Sequence, residues 1–151
     1  MSANQRAADL LNSVNKDEMD TAQMVQSHSQ NSAVKDFAQT LMNDHKDAQS
    51  KLESAASQGS ITLHETPSLH KQHEALESRL QSENGAAADK AYVNSEIRDH
   101  RMAIRQLQRL EPQITDQNLK SVVQDCIPVL QKHLDAAQKL QSQLAGKSSG
   151  K

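Results

Sequence analysis

Apolar residues recur every three or four positions through most of the chain, which is the spacing of one face of an α-helix. In the N-terminal half, this pattern predicts a helix over about residues 7–28 and a second helix over about residues 34–58. The polar segment 29–32 separates the two helices. Gly59 follows the second, and glycine is the residue that most often ends a helix.

The same spacing predicts three more helices in the C-terminal half: a short one over about residues 67–80 and long ones over about 86–110 and 116–144. Pro67 suits a first helical turn, and Pro112 stops the fourth helix. Pro128 lies inside the fifth, where a kink or a lost hydrogen bond is expected. The sequence therefore predicts an all-α bundle of four long helices over residues 7–144, with a short extra helix in the middle connection. The polar residues 145–151 are expected to form a disordered tail.

Composition agrees with a single helical domain. At 151 residues the chain is long enough for one core but not for two. Aromatic residues make up only 1% of it, so the core must be built from Leu, Val, Ile, Met and Ala. Three prolines and four glycines leave few turns, and β-branched runs bounded by turns are missing. These features disfavour a sheet.

Charge and hydropathy exclude several kinds of partner. The 17 Lys and Arg residues are interspersed with 19 Asp and Glu residues, so no basic face for nucleic acid is expected. No apolar stretch approaches the roughly 20 residues that span a bilayer, and the N-terminal segment lacks the apolar core of a signal peptide. Cys126 is the single cysteine, which excludes an intramolecular disulfide. A monomer or weak homodimer is expected.

A short pattern of histidine, alanine and leucine occurs in three of the predicted long helices. Its copies are His45, Ala48 and Leu52; His100, Ala103 and Leu107; and His133, Ala136 and Leu140. Asp44 and Asp99 precede the first two histidines. The three helices therefore carry a histidine at the same phase of the same pattern, which indicates equivalent positions in a packed bundle.

Histidines and carboxylates that project inward from facing helices can build a metal site in a bundle core. Glu18 and His45 lie equally far from the turn between the first two helices, so an antiparallel hairpin places them at one height. Glu96 lies one turn before His100 on nearly the same face. His133 is offset from His100 by roughly 9 Å on straight-helix geometry. Either the turn and Pro128 absorb this offset, or His133 belongs to another layer.

The candidate metal ligands are thus Glu18, His45, Glu96, His100 and His133. A mixed nitrogen and oxygen set suits zinc, copper, iron or manganese and does not decide among them. The chain contains no Glu-x-x-His spacing, which di-iron ferritin sites require, so ferroxidase activity is disfavoured. The alternative is structural: each histidine is a hydrogen-bonded core residue, and a small rotation of the first helix leaves Glu18 solvated.

The remaining candidates carry weaker signals. His70 and His73 lie three residues apart on the short helix, a spacing that could hold a metal between them, but a charged, exposed face is the favoured expectation. His64 lies in a connector with no fixed partner. Cys126 falls next to the apolar seam of the fifth helix and is expected to be a small buried residue. No neighbouring cation marks it as a reactive thiolate. No arrangement for nucleophilic catalysis and no glycine-rich phosphate loop occurs. An enzyme is therefore a third and weaker expectation, which would depend on a redox metal with an open coordination position.

The most specific motifs are the Asp-His pairs at Asp44–His45 and Asp99–His100 and the Pro-x-Leu-x-x-His run from Pro128 to His133. On these motifs, residues 17–144 resemble the bacterial ferritin-like family called domain of unknown function 4142. The resemblance implies a ferritin-like four-helix bundle in a protein exported to the bacterial envelope. A periplasmic or secreted location is therefore expected, with an apolar leader encoded upstream of Ser2 in the native gene.

Two classes of function remain open from the sequence. One is a metal-binding envelope protein connected with metal homeostasis or stress. The other is a metal-free helical module that binds a partner or buffers envelope stress through its surface. Inward histidines and glutamates within about 5 Å of one another favour the first class. A large exposed apolar patch favours the second.

Overall fold

The computed structural model describes residues 1–149, with side chains through residue 146. Its α-helices are Ala3–His28 (α1), Ser32–Gln58 (α2), Pro67–Ser82 (α3), Gly85–Leu110 (α4) and Gln117–Ser149 (α5), and a 3-10 turn, Glu111–Gln113, follows α4. No β-strand occurs within residues 1–149. The expected all-α fold is confirmed, and each predicted helix is present.

Side-chain caps set the starts of three helices. Ser2, Asn31 and Asp116 each use a side-chain oxygen to accept the backbone N–H three residues later, which satisfies a donor that has no partner inside the helix. Because of Ser2, α1 begins at Ala3 rather than near residue 7. Apolar spacing missed this first turn, since residues 3–6 are mostly polar.

The four long helices enclose one apolar core. Helix α1 packs against α2 and α4, and α5 packs against the same two helices from the opposite side. Leucines fill most of the centre; those that are almost completely buried are Leu11, Leu41, Leu52, Leu107, Leu119 and Leu130. Phe37 and Tyr92 meet edge to face, with ring centroids 6.0 Å apart. Each long helix therefore presents its inward face to two neighbours, an arrangement in which buried side chains from different helices can meet.

The short helix α3 lies outside the core and packs on α1 and α4. The connector before it is tied to α1: Asp9 accepts the backbone N–H of His64 at 2.9 Å, and Asn12 donates to the carbonyl of His64 at 3.1 Å. Ser13 accepts the N–H of Thr66 at 2.7 Å. His64 was expected to have no fixed partner; that expectation is wrong, because buried polar groups of α1 hold its backbone.

The end of the chain differs from the sequence expectation. Helix α5 is helical through Ser149, past the expected end at Leu144, because no proline follows to stop it. The expected disordered tail over residues 145–151 stays a prediction, and its last two residues lie outside the described part of the chain. Among the helices of residues 1–149, none combines the length and apolarity needed to cross a bilayer.

Candidate metal centre

The five predicted ligands all lie in the interior and come from all four long helices. None is more than 6% exposed. They form two groups whose ligand atoms lie within 4.8 Å of one another: one consists of His45, His100 and His133, and the other of Glu18, Glu96 and His100. The structure therefore brings the predicted residues together as two adjacent groups that share His100, rather than as one shell.

The three imidazoles form a compact cluster. The ring centroids of His45 and His100 lie 5.9 Å apart, and the ring of His133 lies 5.3 Å from each of them. Nε2 of His100 lies 3.3 Å from Nδ1 of His133. His133 thus shares a layer with His100, which resolves the alternative that the sequence left open.

The turn between α4 and α5 explains why these two histidines are level. His100 lies ten residues before the end of α4, whereas His133 lies 16 residues after the start of α5, so straight helices would offset them by roughly 9 Å. The 3-10 turn Glu111–Gln113 adds three residues to the α4 side at about 2 Å each. This extension of roughly 6 Å removes most of the offset.

Hydrogen bonds determine which nitrogen of each imidazole carries the proton. His133 donates through Nε2 to Oδ2 of Asp44 at 2.7 Å, and His100 donates through Nδ1 to the backbone carbonyl of Glu96 at 2.8 Å. His45 donates through Nδ1 to Oδ1 of Asn15 at 2.9 Å. These oxygens only accept. In a neutral imidazole the lone pairs therefore lie on Nε2 of His45, Nε2 of His100 and Nδ1 of His133.

A chain of amides fixes the orientation of Asn15. The Gln49 Nε2 group donates to Oε1 of Glu53 at 3.1 Å and to Oδ1 of Asn12 at 2.9 Å. Because a carboxylate cannot donate, Oε1 of Gln49 must face the other way, where it accepts from Nδ2 of Asn15 at 3.2 Å. The remaining atom of that amide, Oδ1 of Asn15, then faces His45.

Burial in the cluster favours the neutral forms of His45 and His133. Burial lowers the pKa of His45 well below its usual value, and the neighbouring His100 and His133 lower this pKa further. Burial also lowers the pKa of His133, against the opposing hydrogen bond to Asp44. Nε2 of His45 has no hydrogen-bond partner within the described chain. A neutral imidazole is the state that binds metal ions.

The carboxyl groups of Glu18 and Glu96 lie beside His100 and interact with each other. Burial raises the pKa of Glu18 well above its usual value, and the nearby Glu96 raises it further. Burial raises the pKa of Glu96 to about 7, although a hydrogen bond with Glu18 lowers it. Glu18 therefore holds a proton and donates it to Glu96. Burial, followed by the nearby Glu96, raises the pKa of the neighbouring Tyr92 as well.

Two contacts correct the predicted site. Glu18 was expected to be the carboxylate nearest to the histidines, and this is wrong: Oε2 of Glu96 lies 3.4 Å from Nδ1 of His100, and Asp44 lies closer still to His133. Asp44 was missed as a site residue because it is rotated about 100° from the seam that contains His45. The sequence feature that could have identified Asp44 is its position directly before His45, in an Asp-His pair. Asn15 was also missed, although it lies one turn before Glu18 on the same face.

A cavity of about 150 Å³ between α2 and α5 reaches the imidazoles from one side of the bundle. His45 and His133 form part of its wall, and Asp44 lies beside them. Cys126 also lines it; this residue is buried, as expected, and burial raises the pKa of its thiol to about 11. A protonated thiol is a poor nucleophile and ligand. The cavity thus offers small molecules and ions a route to two of the three histidines.

His70 and His73 do not form a pair. His70 is exposed between Glu65 and Glu74, as expected for a charged face. His73 is buried, with its side chain only 7% exposed, because α3 presents this residue to α1. The expectation of an exposed His73 is therefore wrong.

Comparison with known proteins adds one finding. A family model described as Domain of unknown function (DUF4142) matches residues 1–140. No curated protein and no solved structure matches the chain. The description of the family names no activity, so function has to be inferred from the interior of the bundle.

Proposed function

The chain belongs to the DUF4142 family of domains of unknown function, and from its interior we propose that it binds a transition-metal ion through His45, His100 and His133. The observation that carries this proposal is the convergence of three imidazole lone pairs in a buried place, where Nε2 of His45 has no hydrogen-bond partner within the described chain. Without a cation, those nitrogens lose the hydrogen bonds that water would give them, which is costly in an interior.

The surroundings of each imidazole support the proposal. Histidine ligands in metal sites usually donate their second ring N–H to a carboxylate, a carbonyl or a similar acceptor, which fixes the ring and its tautomer. Here the acceptors are Asp44, the carbonyl of Glu96, and Asn15. All three leave the unprotonated nitrogen facing the centre of the cluster, so the ligands are already oriented.

The spacing of the nitrogens suits a small four-coordinate ion. Two imidazole ligands at about 2.0–2.1 Å from a tetrahedral ion lie roughly 3.3 Å apart, which is the separation of the ligating nitrogens of His100 and His133. The ligand atom of His45 lies within 4.8 Å of theirs, and its closer approach would complete a three-histidine set with one open position. Imidazole ligands favour Zn²⁺, Cu²⁺ or Fe²⁺ over Mn²⁺, and the usual order of affinities places Cu²⁺ and Zn²⁺ first.

We place this centre in a ferritin-like bundle, in which α3 belongs to the connection between the two helical hairpins. The packing of four long helices around buried His and Glu residues supports this choice. The metal-free module is less well supported. Among the described side chains, Met1 is the one large hydrophobic residue that is exposed, so the apolar patch expected of such a module is missing there.

Calorimetry of chelator-treated protein without a His-tag tests the metal proposal. We expect Zn²⁺ or Cu²⁺ to bind more tightly than about 100 μM, equivalent to roughly 5.5 kcal/mol, and to raise the melting temperature. The variant His45→Ala/His100→Ala should lose both effects and keep its helical circular dichroism. The control is His28→Ala/His70→Ala, which removes two exposed histidines. Failure of Zn²⁺, Cu²⁺, Fe²⁺ and Mn²⁺ alike would make the cluster structural.

We also propose that the protein functions in the bacterial envelope, in metal homeostasis or the response to stress. The support is the resemblance of its Asp-His motifs to those of exported proteins. The native gene is expected to encode an apolar leader upstream of Ser2. A gene without such a leader, with the protein found in the cytoplasmic fraction, would contradict this location.

A further inference from the structure

We propose that Asp20, His73 and Glu77 form a second cation site, at the surface, which captures a divalent transition-metal ion on its way to the interior histidines. The existence of this site is independent of the proposed function. Its role as a capture site rests on that function.

The three side chains meet where α3 packs against α1. Glu77 follows His73 by one helical turn, and one of its carboxylate oxygens is in contact with Nε2 of His73. Oδ2 of Asp20, on α1, lies 3.9 Å from the same nitrogen. The ligand atoms of all three residues lie within 4.8 Å of one another. One nitrogen and two carboxylates thus face a common point between two helices.

The buried side of His73 determines its tautomer. The hydroxyl of Thr21 donates its proton to the carbonyl of Asp17 at 2.8 Å. The same oxygen lies 3.2 Å from Nδ1 of His73, so it must accept from that nitrogen. In the neutral ring, the lone pair of Nε2 then points toward the two carboxylates.

This arrangement lacks a positive charge. Nε2 of His73 is buried, and no residue of the described chain is aligned to form a hydrogen bond with it, although Glu77 is in contact. A lone pair facing two negative oxygens is unfavourable unless a proton or a metal ion lies between them. The donor set of one imidazole and two carboxylates suits Zn²⁺, Fe²⁺ or Mn²⁺. A proton on Nε2, which would form a simple ion pair, is the competing occupant.

A small cavity lies between His73 of this site and two buried glutamates of the interior. It has a volume of about 30 Å³, room for a single water molecule or ion, and lies between α1, α3 and α4. Its lining includes His73 of the surface site and the interior residues Glu18 and Glu96. Asp17 and Asp99 also line it. Asp99 interacts electrostatically with His73 and with both glutamates. Acidic side chains therefore line the space between the two centres, and their ionised forms attract cations.

The surface site is tested in a variant that lacks two of the three interior histidines. The variant His45→Ala/His100→Ala is titrated with Zn²⁺ by calorimetry, and we expect one ion to bind. Adding His73→Gln should abolish this binding. Adding His70→Gln should not, because the pair His70 and Glu74 has the same one-turn spacing but no buried nitrogen and no ligand from α1. Absence of binding to the double variant, or binding that survives His73→Gln, would overturn the site and leave a proton as the occupant.

A second measurement guards against misfolding of the double variant. In the otherwise unchanged chain, His73→Gln should reduce the number of Zn²⁺ ions bound by one, whether or not the interior binds metal. An unchanged number overturns the surface site. This result is separate from the test of the proposed function, which depends on His45 and His100.

The capture role is tested by rate. Loading of the interior with Co²⁺ is followed by stopped-flow absorption, since Co²⁺ reports tetrahedral coordination through its colour. We expect His73→Gln/Glu77→Gln to slow this loading by about tenfold at low ionic strength with little change in interior affinity. The control is Asp47→Asn/Asp125→Asn, which removes charges at the cavity between α2 and α5. Equal rates for the wild type and the His73 variant, or slowing in the control alone, would assign entry to that other cavity.

Discussion

Nε2 of His100 and Nδ1 of His133 lie 3.3 Å apart, although the partners of their other nitrogens leave neither atom a proton to donate. The contact therefore has the length of a weak hydrogen bond, but both of its nitrogens are acceptors. Nε2 of His45 completes the same arrangement from α2.

Removing the acceptor of His45 should weaken both the fold and metal binding. In Asn15→Ala, the buried N–H of His45 loses its partner, which costs about 1–3 kcal/mol of unfolding free energy. Zn²⁺ affinity should fall by about 10–100-fold, the usual effect of losing the partner of a histidine ligand. Urea denaturation and calorimetry measure the two effects. The exposed Asn43→Ala on α2 is the control, and equal behaviour of the two variants would contradict the prediction.

The acceptor of His133 is a carboxylate, so its charge and its hydrogen bond can be separated. Asp44→Ala removes both and should lower Zn²⁺ affinity by about 10–100-fold. Asp44→Asn keeps an oxygen that accepts from Nε2 of His133, and its loss should be smaller. Asp47→Ala removes a nearby exposed charge that makes no such hydrogen bond. If Asp44→Ala and Asp47→Ala bind equally well, Asp44 does not orient His133.

Acid should destabilise the metal-free protein through His45 and His133. Their pKa values are lowered by burial, so below pH of about 6.5 the unfolded chain binds protons that the folded chain does not. Stability from these groups is present above that pH and is lost as the pH falls. The side chain introduced by His45→Gln cannot titrate. This variant should therefore reduce the slope of unfolding free energy against pH by up to about 1.4 kcal/mol per pH unit. The measurement is urea denaturation of chelator-treated protein from pH 7.5 to pH 5; identical slopes would contradict it.

The glutamate pair should act in the opposite direction. The pKa of Glu18 is raised by burial, and that of Glu96 is raised to about 7. The folded state therefore binds more protons than the unfolded state above their usual pKa of about 4.5, and stability is lost as the pH rises through 7. Relative to the wild type, the variant Glu18→Gln/Glu96→Gln should gain unfolding free energy on the order of 3 kcal/mol as the pH rises from 5 to 8. If the unfolding free energies of the two proteins changed in parallel with pH, the proton between Glu18 and Glu96 would be contradicted.

The sequence predicted the helices well because apolar spacing follows directly from which face is buried. It also selected Glu18, His45 and His100, since polar residues on an apolar seam must point inward. It could not predict that Asp44 reaches His133, because that contact depends on how closely α2 and α5 approach. The burial of His73 was missed for a similar reason: its cause is the packing of α3 on α1, which the spacing within α3 does not specify.

The amide chain from Glu53 to His45 has a further consequence. Gln49 and Asn15 can each be reversed, but reversing one places two donors or two acceptors against each other, so both must turn together. If they turned, Oδ1 of Asn15 would leave His45, whose proton would move to the other nitrogen and point into the cluster. An exposed carboxylate on α2 therefore selects which of two tautomers the interior histidine adopts, at a distance of two side chains.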